Sequence, residues 1–314
     1  MPTGAVTEGA GMTMSFDLIV VGEGVAGLTC AAEATRLGLS VGTYEAAFLG
    51  GLVANVDELR HFDGADGLSG LDFAGSLAVR NKKAGVKSVN AGVTAIRAAG
   101  DLFEVEAGST KHTARSVVIA SGAHLRKLGV PGEAEFEGRG VSHCADCDAP
   151  LFTGADVVVA GGGDWALQSA LVLAQECSTV HVVFEDDAPT ACEDYVRRAG
   201  AELKIALHPG LTVVEIVGND SGMTGVRTRD GQGGVRELPA LGLFALVGLQ
   251  PNSDLVPAGM RRDHDGHIVV DKTLGTSIPG LWAIGQVRSG FGGWLNDAVS
   301  DARRAAEGVR ARTA

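Results

Sequence analysis

The sequence predicts an α/β chain of two Rossmann-like, three-layer domains. Three observations lead there. A strand, a glycine-rich turn, a helix and a second strand follow one another over residues 16–45, and the same order recurs over 155–185. The strands of both units are continuous apolar runs, as expected of strands buried on both faces. Glycine is abundant, 46 of 314 residues against 9 prolines, and supplies tight turns and close backbone approaches.

The elements follow in order. Phe16–Val21 is the first strand. The turn Gly22-Glu-Gly24-Val25-Ala26-Gly27 leads into a helix over Leu28–Leu37, which Gly38 ends. Leu39–Tyr44 is the second strand, and Glu45 follows it. Turns at Gly50-Gly51-Leu52 and at 63–67 precede a helix over 70–83. Strand-like runs near 86–97, 102–107 and 115–120 alternate and are punctuated by turns, which predicts an antiparallel insertion. The last of them ends in Ala120-Ser121-Gly122. At Ala155–Ala160 the pattern restarts, with the turn Gly161-Gly-Gly163-Asp164-Trp165-Ala166, a helix over 165–176, the strand Thr179–Phe184 and then Glu185. Leu241–Val247 and Leu281–Gly285 read as later strands, and 294–311 as a closing helix.

Composition bounds the function. Hydrophobic residues make up 45% and charged residues 20%, enough for a folded core. A net charge of −12 disfavours broad contact with nucleic acid or an anionic membrane. No run is apolar for the 18 or more residues of a membrane span. Residues 1–13 carry neither a basic n-region nor an apolar h-region, so no signal peptide is expected. Five cysteines do not make a secreted disulfide framework, which places the chain in the reducing cytoplasm.

Each glycine turn sits between a strand and a helix, the context that a dinucleotide-binding Rossmann turn requires. The first glycine permits the tight turn and the second lets backbone N–H groups reach a pyrophosphate. The third, Gly27 or Ala166, lets helix and strand pack closely. The helix N-terminus adds partial positive charge beneath the phosphates. An acid after the second strand can bind a ribose hydroxyl: Glu45 lies 21 residues after Gly24, and Glu185 lies 22 after Gly163. The rival reading is a plain strand–helix turn. It weighs more for the second copy, where Trp165 could crowd a ligand.

Cys144-Ala-Asp-Cys147-Asp148 precedes the second unit. Cys-x-x-Cys places two sulfurs close enough to bridge. At the start of a helix such a pair is biased towards the thiolate nucleophile, and Asp148 is placed to shuttle a proton. Zinc is one rival, but four ligands are needed, and beyond the adjacent His143 no second pair exists, so no metal is expected. A non-functional buried pair is the other. Cys30, Cys177 and Cys192 read as core or incidental residues.

Together these motifs resemble the low-molecular-weight thioredoxin reductases, a family of flavoprotein disulfide reductases. The likeness runs from about Phe16 to Ala306 and includes Gly248-Leu-Gln-Pro-Asn252 and Thr276-Ser-Ile-Pro-Gly-Leu-Trp-Ala-Ile-Gly285. It implies a discontinuous FAD domain, residues 1–122 with 243–314. It also implies an inserted NAD(P)-type domain, 123–242, that carries the redox pair, and a homodimer. The FAD-facing positions would be Gly22, Gly24, Val25, Ala26, Gly27, Glu45, Ala46, Gly50, Gly51, Leu52, His61, Ala120, Ser121, Gly122, Gly285, Gln286, Trp294 and Leu295. Gly161, Gly163, Asp164, Ala166 and Glu185 would face a pyridine nucleotide. Cys147 would face the flavin, Cys144 would exchange with a thioredoxin-like protein or small dithiol, and Asp148 would be the acid/base.

The chain also departs from that family. Where its NADPH-dependent members carry a His-Arg-Arg cluster, this chain has Phe184-Glu185-Asp186. Two carboxylates repel a 2′-phosphate that guanidinium groups would bind, so NADPH is disfavoured, while NAD(H) stays compatible through Glu185. Gln286 replaces an aspartate, Gly293-Trp294-Leu295 replaces Arg-Gln-Ala, and His61 replaces an asparagine. These changes predict Trp294 or His61 beside the flavin, with core packing at the domain or dimer interface as the rival for Trp294. The expected activity is FAD-dependent thiol–disulfide exchange. A dithiol oxidase, a ferredoxin-fed reductase and a non-turnover flavin redox sensor are the alternatives.

Overall fold

The computed structural model describes residues 14–56, 59, 62 and 64–313. The chain forms two compact units, one from the segments up to Ala123 and from Pro251 onward, the other from His124–Gln250. The first unit contains β1 (Ser15–Val21), α1 (Val25–Arg36), β2 (Val41–Glu45), α2 (Gly70–Lys83), β3 (Lys87–Asn90), β4 (Ala95–Ala99), β5 (Leu102–Ala107) and β6 (Thr110–Ile119). A short strand, β7 (Ala123–Leu125), leads into the second unit. That unit contains β8 (Val141–Ser142), α3 (Ala145–Asp148), β9 (Asp156–Ala160), α4 (Asp164–Glu176), β10 (Thr179–Val183), α5 (Glu193–Ala201), β11 (Ile205–His208), β12 (Leu211–Asn219), β13 (Gly222–Asp230), β14 (Val235–Pro239) and β15 (Gly242–Ala245). The chain returns through β16 (Leu249–Pro251), which pairs with β7, and ends with β17 (Leu281–Ala283) and α6 (Leu295–Thr313).

In the first unit the strand order is β3-β2-β1-β6-β5-β4, with β17 also on β6. β6 is shared along its length: Thr110–Ala114 pairs antiparallel with β5, and Val117–Ile119 pairs parallel with β17. The alternation of β1 builds the layers. Leu18 and Val20 face a core with α1, α2 and α6, whereas Ile19 and Val21 face Ile96, Phe103 and Val105 of β4 and β5. The second unit repeats this with β11-β10-β9-β15-β8. Val157 and Val159 face α4, and Val158 and Ala160 face the antiparallel sheet β12-β13-β14. This is the α/β architecture of two Rossmann-like domains that the sequence predicts.

Two expectations are corrected, and several elements are added. The run 86–97 is not all antiparallel: β3 pairs parallel with β2, and β4 alone turns back on β5. The return crossing lies after Gln250 instead of at 242/243, because β15 is hydrogen-bonded between β8 and β9. An apolar run such as Leu241–Val247 fits either buried sheet, so the sequence does not assign it. α5, β11 and β12–β14 are additions that the sequence pattern does not predict; their half-exposed residues carry weak periodicity. No helix among the described residues is long and apolar enough to cross a membrane.

One polar pair makes the second unit sensitive to acid. His181 Nδ1 and His208 Nε2 lie 3.0 Å apart on adjacent strands, with Arg236 Nη2 3.3 Å from His208 Nδ1. Burial, together with the Arg236 charge, pushes both imidazoles below the ordinary histidine range. Asp156 partly opposes this at His181, and at His208 the neighbouring His181 adds to it. Unfolding releases that constraint, so below the unfolded histidine pKa the unfolded chain binds more protons. The pair therefore costs no stability above about pH 7 and progressively more as pH falls from the unfolded histidine pKa towards the folded values, below which the cost levels off. Urea midpoints measured from about pH 8 to pH 5 should fall less steeply for His181→Gln/His208→Gln than for the parent.

Candidate active site: a disulfide and two glycine turns

Cys144 and Cys147 are joined in a disulfide, with Cα atoms 5.3 Å apart. Cys144 caps the single turn of α3, and its Sγ accepts the Cys147 N–H at 3.2 Å. Cys144 is half-buried and Cys147 exposed. Two further bonds tie this turn to the sheet. Ser142, at the end of β8, donates its hydroxyl to Asp148 Oδ2 at 2.6 Å and accepts the Cys144 N–H at 3.2 Å. His143 Nε2 lies 3.2 Å from the Glu137 carboxylate. The remaining cysteines divide as expected. Burial pushes the Cys30 thiol up to about 12 and raises that of Cys177, while Cys192 is exposed.

The two glycine turns share their anchoring bond to the neighbouring strand. Gly22 N–H donates to Tyr44 O and Gly161 N–H to Val183 O, both at 2.8 Å. A Cβ on Gly22 would lie 2.3 Å from Ala120 O, and one on Gly161 would lie 2.2 Å from Leu246 O. A Cβ on Gly27 would meet Gly22 O at 1.9 Å. Gly24, by contrast, has room for a methyl group, since a Cβ there would lie 3.7 Å from Gly50 O. Neither α1 nor α4 has a side-chain cap, whereas Ser69 caps α2 by accepting the Asp72 N–H. The first N–H groups of α1 and α4 are thus left for another acceptor.

The surroundings of the turns differ. In the first unit Glu45 accepts three backbone N–H groups, from Glu23 at 2.8 Å and from Ala46 and Ala47 at 2.9 Å, which fixes its carboxylate at the end of β2. Gly50 N–H donates to Glu23 O at 2.9 Å, drawing Gly50-Gly51 beside the turn. Ser121 and Asn252 exchange hydrogen bonds at 2.7 and 2.8 Å. The Gly285–Val287 turn rests on a buried ion pair: Asp301 accepts Gly285 N–H at 3.0 Å and Arg288 at 2.6 and 3.0 Å. In the second unit the segment after β10 is held against its turn, with Cys192 N–H on Asp164 Oδ1 at 2.6 Å and Ala191 N–H on Gly162 O at 3.1 Å. Glu185 is exposed and accepts the Thr212 hydroxyl at 3.2 Å.

Residues 16–307 match the family model of the pyridine nucleotide-disulphide oxidoreductases. The chain belongs to this family. It is 35% identical over 297 residues to a thioredoxin reductase from Treponema pallidum, covering 94% of this chain and 96% of that one. The thioredoxin reductase of Lactococcus lactis superposes with a TM-score of 0.87 at 32% identity, over 94% of this chain and 97% of that chain. A ferredoxin-flavin thioredoxin reductase from Clostridium acetobutylicum superposes with a TM-score of 0.53 at 26% identity, over 95% and 99%. As a member of the family the chain is a thioredoxin-reductase-like flavoprotein, an oxidoreductase acting on sulfur. FAD and a pyridine nucleotide are the cofactors the family implies.

The residues of the first turn fit a dinucleotide: no side chain fills the space at Gly24, α1 is uncapped, and the Glu45 carboxylate is held at the strand end. Ala120, Ser121, Gly122, Gly285 and Gln286 fall in the same unit. Leu52 is 37% exposed and Ala46 is exposed. Trp294 is 71% exposed on this chain, while Leu295 packs on the α1–α6 core. His61 lies outside the described residues. Sequence reading misses Ser142, although it stands two residues from Cys144, and the Arg288–Asp301 pair, whose spacing carries no motif.

The glycines give a direct test. Gly27→Ala should destabilise the apoprotein by ~1–3 kcal/mol in urea titration, since backbone must shift to admit the methyl. Gly24→Ala should leave apoprotein stability within about 0.5 kcal/mol yet weaken FAD retention on dialysis.

Proposed function

We propose that this enzyme passes electrons between FAD and the Cys144–Cys147 pair and on to or from a thioredoxin-like protein or small dithiol, with little use of NADPH. The observation that carries the donor preference is the charge of the inserted unit. Residues 124–250 hold 9 Lys and Arg against 18 Asp and Glu, three-quarters of the net −12 of the chain. At the end of β10 stand Phe184, Glu185 and Asp186, and the first basic residues of α5, Arg197 and Arg198, already face Asp194 at 2.5 and 3.6 Å. A 2′-phosphate would meet carboxylates there without a guanidinium partner. NADH lacks that phosphate, and Glu185 suits a ribose hydroxyl.

In this reading Gly22, Gly24, Val25, Ala26 and Gly27 cradle the pyrophosphate of FAD and Glu45 binds its ribose. Gly50, Gly51, Leu52, Ala120, Ser121, Gly122, Gly285 and Gln286 line its path. Bound FAD supplies the two-electron step. Cys147 faces it, Cys144 exchanges with the dithiol, and Asp148 holds or releases the accompanying proton. The enzyme works in the cytoplasm as a homodimer. A second reading, a ferredoxin-fed reductase, draws on the likeness to the clostridial protein and accounts equally for the missing arginines.

Anaerobic mixing of the flavoprotein with NADH, NADPH or dithiothreitol, followed by flavin absorbance, tests the donor. NADPH should bleach the flavin at least about tenfold more slowly than NADH, a difference of ~1.4 kcal/mol. Equal or faster bleaching by NADPH would overturn the charge argument. Bleaching by dithiothreitol but by neither nucleotide would favour the ferredoxin-fed reading. Cys144→Ser and Cys147→Ser should each abolish steady-state turnover with a dithiol protein; full activity in either would remove the pair from the mechanism.

A further inference from the structure

Ser142 is unusual among the polar residues near the redox turn. It is only 7% exposed, and it belongs to the sheet: Ser142 pairs with Phe244 of β15, which lies against β9. Its hydroxyl joins the two functional groups of the turn, accepting the Cys144 N–H at 3.2 Å and donating to Asp148 Oδ2 at 2.6 Å. Asp148 N–H in turn donates to Cys144 O at 3.1 Å. A hydroxyl has one proton to give. Since Ser142 spends it on Oδ2, the carboxylate cannot rotate freely, and Oδ1 is left as its proton-carrying oxygen.

We propose that Ser142 is a positioning residue of the redox centre, holding Asp148 and the Cys144 backbone in one network so that Oδ1 serves the sulfur pair. The proposal rests on the acid/base reading of Asp148. In exchange with a dithiol, a substrate thiolate attacks Cys144 Sγ, the Cys144–Cys147 bond breaks, and Cys147 leaves as a thiolate. Asp148 takes the proton of the second substrate thiol, whose sulfur attacks the mixed disulfide and closes the substrate disulfide. Cys144 leaves and receives that proton from Asp148. The substrate loses two electrons, the pair gains two, and charge and protons balance with Cys144 as thiol and Cys147 as thiolate.

Other titratable and charged groups lie around this network. His143 Nε2 faces Glu137 while its buried Nδ1 has no hydrogen-bond partner, and Asp146 is exposed on the same turn. Arg139 is directed to the carbonyls of Asn219 and Asp220. β15 contributes Gly242–Ala245 and no charge. On α4, which packs against α3, Asp164 accepts the Cys192 N–H and Glu176 the Thr153 hydroxyl.

The test measures reduction of the pair by dithiothreitol in the anaerobic, FAD-loaded full chain from about pH 6 to pH 9, with new thiols trapped by maleimide and counted by mass. Ser142→Ala should slow reduction about tenfold and flatten its pH profile, and Ser142→Thr should restore both to within about threefold. Ser142→Gly, which also lacks the hydroxyl, replaces the alanine variant should that fail to fold. Asp148→Asn should show the same flattening, and S142A/D148N should be no slower than D148N, because the two act as one unit. Parent-like rate and profile in S142A alongside an impaired D148N would overturn the role of Ser142 and leave Asp148 standing. An unimpaired D148N would remove the acid/base reading itself, and this inference with it. Equal slowing in the alanine and threonine variants with an unchanged profile would reduce Ser142 to packing and also overturn the proposal.

Discussion

Everything in this molecule depends on how closely a strand end, a neighbouring carbonyl and a helix start can be brought together. In both units a glycine follows the central strand with positive φ, +105° at Gly22 and +131° at Gly161. Each lies where any side chain would collide with the carbonyl that ends the adjacent strand. Five residues on, Gly27 and Ala166 let the helix settle against that same turn. A residue with a larger side chain would push the helix off the sheet, and the N–H groups at its start would no longer converge on one point.

The redox turn shows a second way of fixing geometry. A four-residue helix has little stability of its own. Here it is closed covalently by Cys144 and Cys147 and tied to a buried strand through one serine hydroxyl. Its orientation is therefore inherited from the β9-β15-β8 ladder and not from local propensity. The first unit uses charge for a similar purpose. Asp301 and Arg288 form a pair that is nearly buried, and burial makes it directional, because an unsatisfied partner would carry a large desolvation cost. The pair reaches Gly285 N–H and so sets the turn that presents Gln286.

Much of the fold is legible in the chain itself. The turn glycines announce themselves because a strand-to-helix turn of this kind has few permitted residues, and Cys-x-x-Cys does so because a close sulfur pair has few uses. Glu45 is found by counting, since it stands one strand beyond a recognisable helix. Less legible is the stretch 193–239, where α5 and four strands are half-exposed and alternate weakly. Leu241–Val247 is recognisable as a strand but its sequence does not say to which unit it belongs, for hydrophobicity says that a strand is buried and not which partner it has.

The amino-acid sequence alone determined the two glycine turns, the sulfur pair and the acidic character of the inserted unit. Each of these is written in residues adjacent in the chain or in a simple count. Tertiary structure alone decided that β15 joins β8 and β9, that Asp301 and Arg288 meet, and that Ser142 bridges Cys144 to Asp148. The reason is physical. Backbone conformation and redox chemistry restrict residue type at a position, and that restriction can be read along a line. Hydrogen bonds between side chains are set by where the packed core leaves two atoms about 3 Å apart, and no pattern in the chain records that distance.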